Sequence, residues 1–218
     1  MAESETPSAP SSEAAAATFA QAASGEAAEL LAAVIHSRQT ILPRRLGEPA
    51  PDAGQLAAIL AAAAAAPDHG QLTPWRFVII PAGARGRLAD AFEAALIERD
   101  AQASAEQTAQ AREKAFRAPL LMLAIGRLEG DDPDIEPAER LISAGCAIQN
   151  ILLMAHSMGF AAALTSGKAL KSPALRALFT LAPAEQALCF INIGTPQRRK
   201  PARQRPGVQH YVTVLAEG

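Results

Sequence analysis

A chain of 218 residues, half of them hydrophobic, can bury one good-sized core, so a single domain suffices. Its formal net charge of -2 excludes a general nucleic-acid binder and a polybasic membrane-surface protein, and leaves small molecules or further copies of the chain as partners. Only Cys146 and Cys189 are present, each in an apolar segment, which suits reduced thiols in a cytoplasmic protein and not a disulfide framework.

Residues 1–24 are rich in Ala, Ser, Glu and Pro and hold few large apolar side chains, so a disordered tail is predicted there and one folded domain over residues 25–218. Glu3 and Glu5 stand where a secretory signal would be basic, and no long apolar run follows. From 26 to 37 the spacing of Leu30, Leu31, Val34 and Ile35 predicts a helix that packs this stripe on the core. Arg38-Gln39-Thr40 follow directly. Prolines and a glycine make 41–51 an extended connection, and Asp52 is placed to cap a helix over 53–66.

The stretch 65–77 then holds a polar loop between Pro67 and Pro74, each of which restricts its neighbour's backbone, so Asp68, His69, Gln71 and Thr73 are held on a stiff frame. A strand over 75–80 begins at Trp75, read as the core anchor of that loop. Two charged, solvent-facing helices are expected over 87–100 and 106–116. The unbroken apolar run 119–125 reads as a central strand covered on both faces. A long apolar helix over 138–158 must be buried as the spine of the domain or in a subunit interface. Gln149, Asn150, His156 and Ser157 interrupt the apolar run around it, so it is not expected to span a membrane. A short strand at 160–164, Thr165-Ser166, a helix opened by Ser172-Pro173, a buried strand at 187–193 and an apolar alternation over 208–215 complete the chain. Strands interspersed with long helical stretches predict a mixed α/β or α+β domain.

Common catalytic signatures are absent: no G-x-S-x-G, H-E-x-x-H or C-x-x-C occurs, and no G-x-G-x-x-G follows a strand. Thr165-Ser166-Gly167-Lys168 fails as a phosphate loop because Ala162 and Ala169 stand where Gly and Ser or Thr are required. What remains is a set of polar residues at element ends, suited to one elongated polar ligand. Arg38 and Thr40 could grip a phosphate, or serve as a surface ion-pair partner and a local cap. His69 is otherwise an ordinary turn residue, and His156 a satisfied core or interface histidine.

Taken in order, Ser37-Arg38-Gln39-Thr40, Arg45-Leu46-Gly47-Glu48-Pro49-Ala50-Pro51, Ala66-Pro67-Asp68-His69, Pro74-Trp75-Arg76-Phe77, Phe116-Arg117-Ala118-Pro119, Ser143-Ala144-Gly145-Cys146-Ala147, Gly159-Phe160 and Gly194-Thr195-Pro196 resemble the small, minimal-length members of the nitroreductase family. The resemblance implies an α+β sandwich with an antiparallel-rich sheet covered by helices, a homodimer interface along the long helix, and FMN bound between the subunits. It places Arg38, Gln39 and Thr40 at the FMN phosphate and ribityl chain, His69 and Thr73 in the loop that meets the flavin, and Leu164, Thr165 and Ser166 along the isoalloxazine. One basic residue between 198 and 205 adds a phosphate contact. The implied chemistry is hydride transfer from NADH or NADPH through flavin N5 to a nitro compound, quinone or other electron-poor small molecule by a ping-pong scheme, with no acid–base residue.

Two departures stand out. Gln39 replaces the family's second arginine, and Thr73 replaces the glutamine before the Pro-Trp pair. They motivate an alternative, a flavin-binding or flavin-processing protein of the same fold with little reductase activity. A helical scaffold that dimerises through the long helix is the plainest third reading.

Overall fold

The computed structural model describes residues 24–130, 132–199, 201 and 204–216. The expected tail over residues 1–24 lies outside these residues except for Ser24. Helix α1 (Ser24–Ser37) opens the described chain. After a short helical turn, strand β1 (Leu46–Gly47) leads to α2 (Ala53–Ala61), whose start is fixed as expected. The Asp52 side chain accepts from the Gln55 N–H at 2.8 Å, and the Gln55 side chain accepts from the Asp52 N–H at 3.0 Å.

Strand β2 (Trp75–Ile79) precedes α3 (Arg85–Arg99) and α4 (Ala105–Glu113). Strand β3 (Leu120–Arg127) is followed by the long α5 (Pro137–Ser157), β4 (Ala161–Thr165), α6 (Pro173–Leu178) and β5 (Glu185–Pro196). The expected strand at 187–193 is the middle of this longer β5. The sheet order is β1-β5-β3-β2, with β4 also paired to β5, and every strand pairing is antiparallel.

The unbroken apolar run predicted a doubly covered strand, and β3 is one. Leu120, Met122 and Ala124 join the core formed with α2 and α5, whereas Leu121, Leu123 and Ile125 join the core formed with α3 and α6. The domain is thus an α+β sandwich, helices on both faces of an antiparallel sheet. Trp75 packs in the first core, as expected of the loop's anchor.

One expectation is corrected. Helix α1 does not pack its apolar stripe on the core: Leu30 is 69% exposed and Leu31 55%. The helical spacing was sound, but none of the described residues covers the stripe. Helix α5 is likewise buried on one side only, with Ile142 67% exposed and Gly145 facing open space. The apolar alternation of 208–215 forms one short helical turn, Val208–His210, and then irregular exposed backbone.

Candidate functional site

The residues singled out in the sequence fall at two places, one at each end of α5. At its C-terminal end, Ser37 Oγ and His156 Nε2 are hydrogen-bonded at 2.8 Å, tying the end of α1 to α5. The next residues run beside β4. Thr40 pairs with Ala162 in a parallel bridge, and the Ile41 N–H donates to the Ala162 carbonyl at 3.2 Å. Along β4, Leu164 and Thr165 lie roughly 7–10 Å beyond Ala162 at the usual strand rise. Leu164 presents an exposed apolar side chain, and Ser166 is exposed beside it.

Thr165 is held by a residue absent from the sequence expectations. Asn192 is 3% exposed, and its Nδ2 donates to Thr165 Oγ1 at 3.0 Å and to the Ala163 carbonyl at 3.2 Å. Because the Thr165 oxygen accepts this bond, its hydroxyl hydrogen is left to donate elsewhere. Basic residues complete this end. Arg199 and Gln39 share a small cleft with Ser37 and His156, and Arg205 Nη2 donates to the Arg38 carbonyl at 3.5 Å. Among the described residues no carboxylate pairs with the Arg38 guanidinium. Burial, then the charges of Arg199 and Arg38, hold His156 below its ordinary pKa, so it stays a neutral hydrogen-bonding partner near pH 7.

His69 and Thr73 stand at the other end. His69 Nδ1 meets Glu139 Oε2 at 2.8 Å in the first turn of α5, with 65% of the His69 side chain exposed. The hydrogen bond and charge of Glu139 raise the histidine's pKa. Gly70, Gln71 and Thr73 all adopt positive φ, so the loop is held in a conformation side chains rarely take. Two contacts hold it there. The Thr73 N–H donates to Asp68 Oδ2 at 2.5 Å, and Arg127 Nη2 donates to the Thr73 carbonyl at 2.6 Å.

Glu139 and His156 lie on one helix, separated by about 25 Å of rise at about 1.5 Å per residue. The structure therefore gathers Arg38, Gln39, Thr40, Leu164, Thr165 and Ser166 in one region and leaves His69 and Thr73 in another. Within one chain, His69 and Ser37-Arg38 are thus tied to opposite ends of α5.

A separate cavity of about 490 Å³ opens on the sheet face opposite α5. Leu121, Phe190 and Phe92 line its interior, Thr165 and Ser166 form one wall, and Arg99, Lys114, Arg117 and Lys168 stand around it. Its cations come from three segments far apart in sequence, so no motif announced them. Burial pushes the Cys189 thiol up to about 11, which disqualifies it as a nucleophile near neutral pH. Among the described residues no group of three His, Cys, Asp or Glu side chains could hold a metal ion, and no helix is long and apolar enough to cross a membrane.

Residues 35–195 match the model of the Nitroreductase family. The chain is 34% identical over 153 residues to "Putative NAD(P)H nitroreductase YdjA" of Escherichia coli (strain K12), covering 70% of this chain and 82% of that protein. Among solved structures, a nitroreductase-like family protein from Bacillus cereus superposes with a TM-score of 0.74 at 19% identity, over 85% of this chain and 95% of that one. The FMN and NADPH-dependent nitroreductase NfnB from sphigopyxis sp. strain HMH superposes with a TM-score of 0.66 at 18% identity, over 85% of this chain and 98% of its own. The family match over residues 35–195, with the 34% identical relative, places the chain in the nitroreductase family, and so among the oxidoreductases.

Proposed function

We propose that the protein is a homodimeric, FMN-dependent oxidoreductase that uses NADH or NADPH to reduce a nitro compound, a quinone or another electron-poor small molecule. The observation that carries this reading is the separation of the predicted flavin residues along α5. Two copies related by a two-fold axis across that helix would bring the His69 end of one against the Arg38 end of the other, completing two equivalent sites. The exposed apolar faces of α1 and α5 supply the surface for such a contact.

The residues present fit the cofactor. Arg38, with no carboxylate partner among the described residues, and Arg199 beside it would hold the phosphate, with Thr40 next in line along β4. Leu164 offers an apolar wall for a flat ring, and the Thr165 hydroxyl is an available donor at its edge. His69 of the partner subunit, its proton affinity raised by Glu139, would be a further hydrogen-bonding group for the cofactor. When bound, FMN supplies hydride acceptance from the nicotinamide and hydride donation to the acceptor, in alternation. The chain's own groups bind, orient and exclude water, and none is required to move a proton. The FMN and NADPH dependence of NfnB supports the same assignment.

Purified protein should be yellow and should bleach with NADH or NADPH under anaerobic conditions, faster than free FMN does. Arg38→Ala should lose flavin while remaining dimeric. A colourless protein that binds no added FMN overturns the proposal. Tight flavin reduced no faster than free FMN selects the flavin-binding alternative suggested by Gln39 and Thr73.

A further inference from the structure

We infer that the cavity between α3, α4 and the turn after β4 is a binding site for an anionic ligand with a flat apolar body, on the sheet face opposite α5 and sharing only its Thr165–Ser166 wall with the predicted flavin residues. Its volume of about 490 Å³ is that of a small-molecule pocket. The interior is apolar and partly aromatic: Phe190 stands on the sheet and Phe92 packs edge-on against it at 5.4 Å, leaving Phe92 half-buried in the cavity wall. Such a surface suits an aromatic ring.

The charges around it are of one sign. Exposed cations usually signify only solvation, but the rest of this helical layer shows what compensation looks like. Arg112 Nη1 meets Asp90 at 2.7 Å and also pairs with Glu93, and Arg117 pairs with Glu113. Around the cavity, Arg99, Lys114 and Lys168 have no carboxylate within ion-pair distance among the described residues, and none lines the cavity. Glu113, which also feels the charges of Arg44 and Lys114, is hydrogen-bonded to Arg117 and does not line the cavity. Three cations without an ion-pair partner among the described residues, over low-dielectric walls, focus a positive potential into the cavity, where a carboxylate, sulfonate or phosphate group would meet it.

The test titrates full-length protein, saturated with FMN, with 2-naphthoate, 2-naphthyl phosphate and the neutral isostere 2-naphthamide, followed by calorimetry. One molecule per chain should bind, with either acid about tenfold or more tighter than the amide. The preference should weaken as salt rises. The better of the two acids tells a carboxylate site from a phosphate site. R99Q/K114Q/K168Q should abolish the preference, whereas R87Q, on the same layer but away from the cavity, should leave it intact. If the triple variant fails to fold, K168E alone, on an exposed turn, must lower acid affinity at least about threefold. Equal affinity for acid and amide, a preference that survives K168E or the triple substitution, or binding without a fixed stoichiometry would each overturn the inference. None of these results depends on turnover, so failure here is distinct from failure of the proposed reductase activity.

Discussion

The two helical layers of the sandwich are finished differently. The layer of α3, α4 and α6 turns charge to the outside: Arg112 with Asp90 and Glu93, Arg117 with Glu113, and Gln110 donating to Glu106 at 3.0 Å. The layer built on α5 turns carbon outward at Ile142 and Leu141, and α1 beside it exposes Leu30 and Leu31. Both layers bury an apolar core against the same sheet. The difference lies on the outer surfaces, and it separates a face dressed mainly in ion pairs from the carbon face that the proposed homodimer would cover.

The largest effect should come from the inside of the charged layer. Arg85, 5% exposed, donates to the carbonyls of Ile80, Ala115, Ala118 and Pro119, joining the end of β2 to the start of β3. Arg85→Met would strand these acceptors and should cost about 4 kcal/mol or more in urea unfolding. A loss under about 1 kcal/mol would show that water replaces the guanidinium. The carbon-faced layer is broken at Ile142. Ile142→Asp places two charges in the proposed two-fold interface and removes two apolar contacts, each of about 1.5–3 kcal/mol, so the proposed dimer should weaken roughly a hundredfold or more in sedimentation. A variant that stays dimeric at nanomolar concentration would move the interface elsewhere. Arg112→Ala, by contrast, disturbs solvent-screened ion pairs with Asp90 and Glu93 and should leave the urea unfolding midpoint nearly unchanged.

Much of this contrast could be read from the sequence, and the part that could not has a physical reason. The unbroken run around Leu123 announced a doubly covered strand because two opposite faces were both apolar. Asp52 and Gln55 announced a helix start because a cap is a local interaction. The stripe of Leu30, Leu31 and Ile35 announced that something must cover it, but periodicity carries no information about whose chain does so. The same blindness affected the site. The order of Arg38, His69 and Thr165 in the sequence suggested a single ring of residues, and only the length of α5 shows that His69 stands at the far end. Arg85 carried no signal in the sequence, because the four carbonyls it serves come from segments that only the fold brings together. Asn192 was hidden inside an apolar strand, and its one signal was a polar residue in a run of Phe190, Ile191 and Ile193.

The smallest effect, and the most direct probe of the loop end of α5, lies in the pH behaviour of the His69–Glu139 pair. Glu139 raises the folded-state pKa of His69 above the ordinary 6.5, so the pair's contribution from the histidine is fully present below that value and fades as pH rises through the raised one. His69 in turn lowers the pKa of Glu139 below the ordinary 4.5, so the carboxylate's contribution is present above that value and fades as pH falls through the lowered one. Both conditions hold together between about pH 4.5 and 6.5. An NMR titration should place His69 above 6.5, and Glu139→Gln should return it toward that value while leaving His156, at the opposite end of the helix, unchanged. If the His69 titration instead shifts further on FMN binding, in the dimer but not in Ile142→Asp, the partner's flavin and not Glu139 alone sets its charge, which joins the two ends of α5 through the second chain.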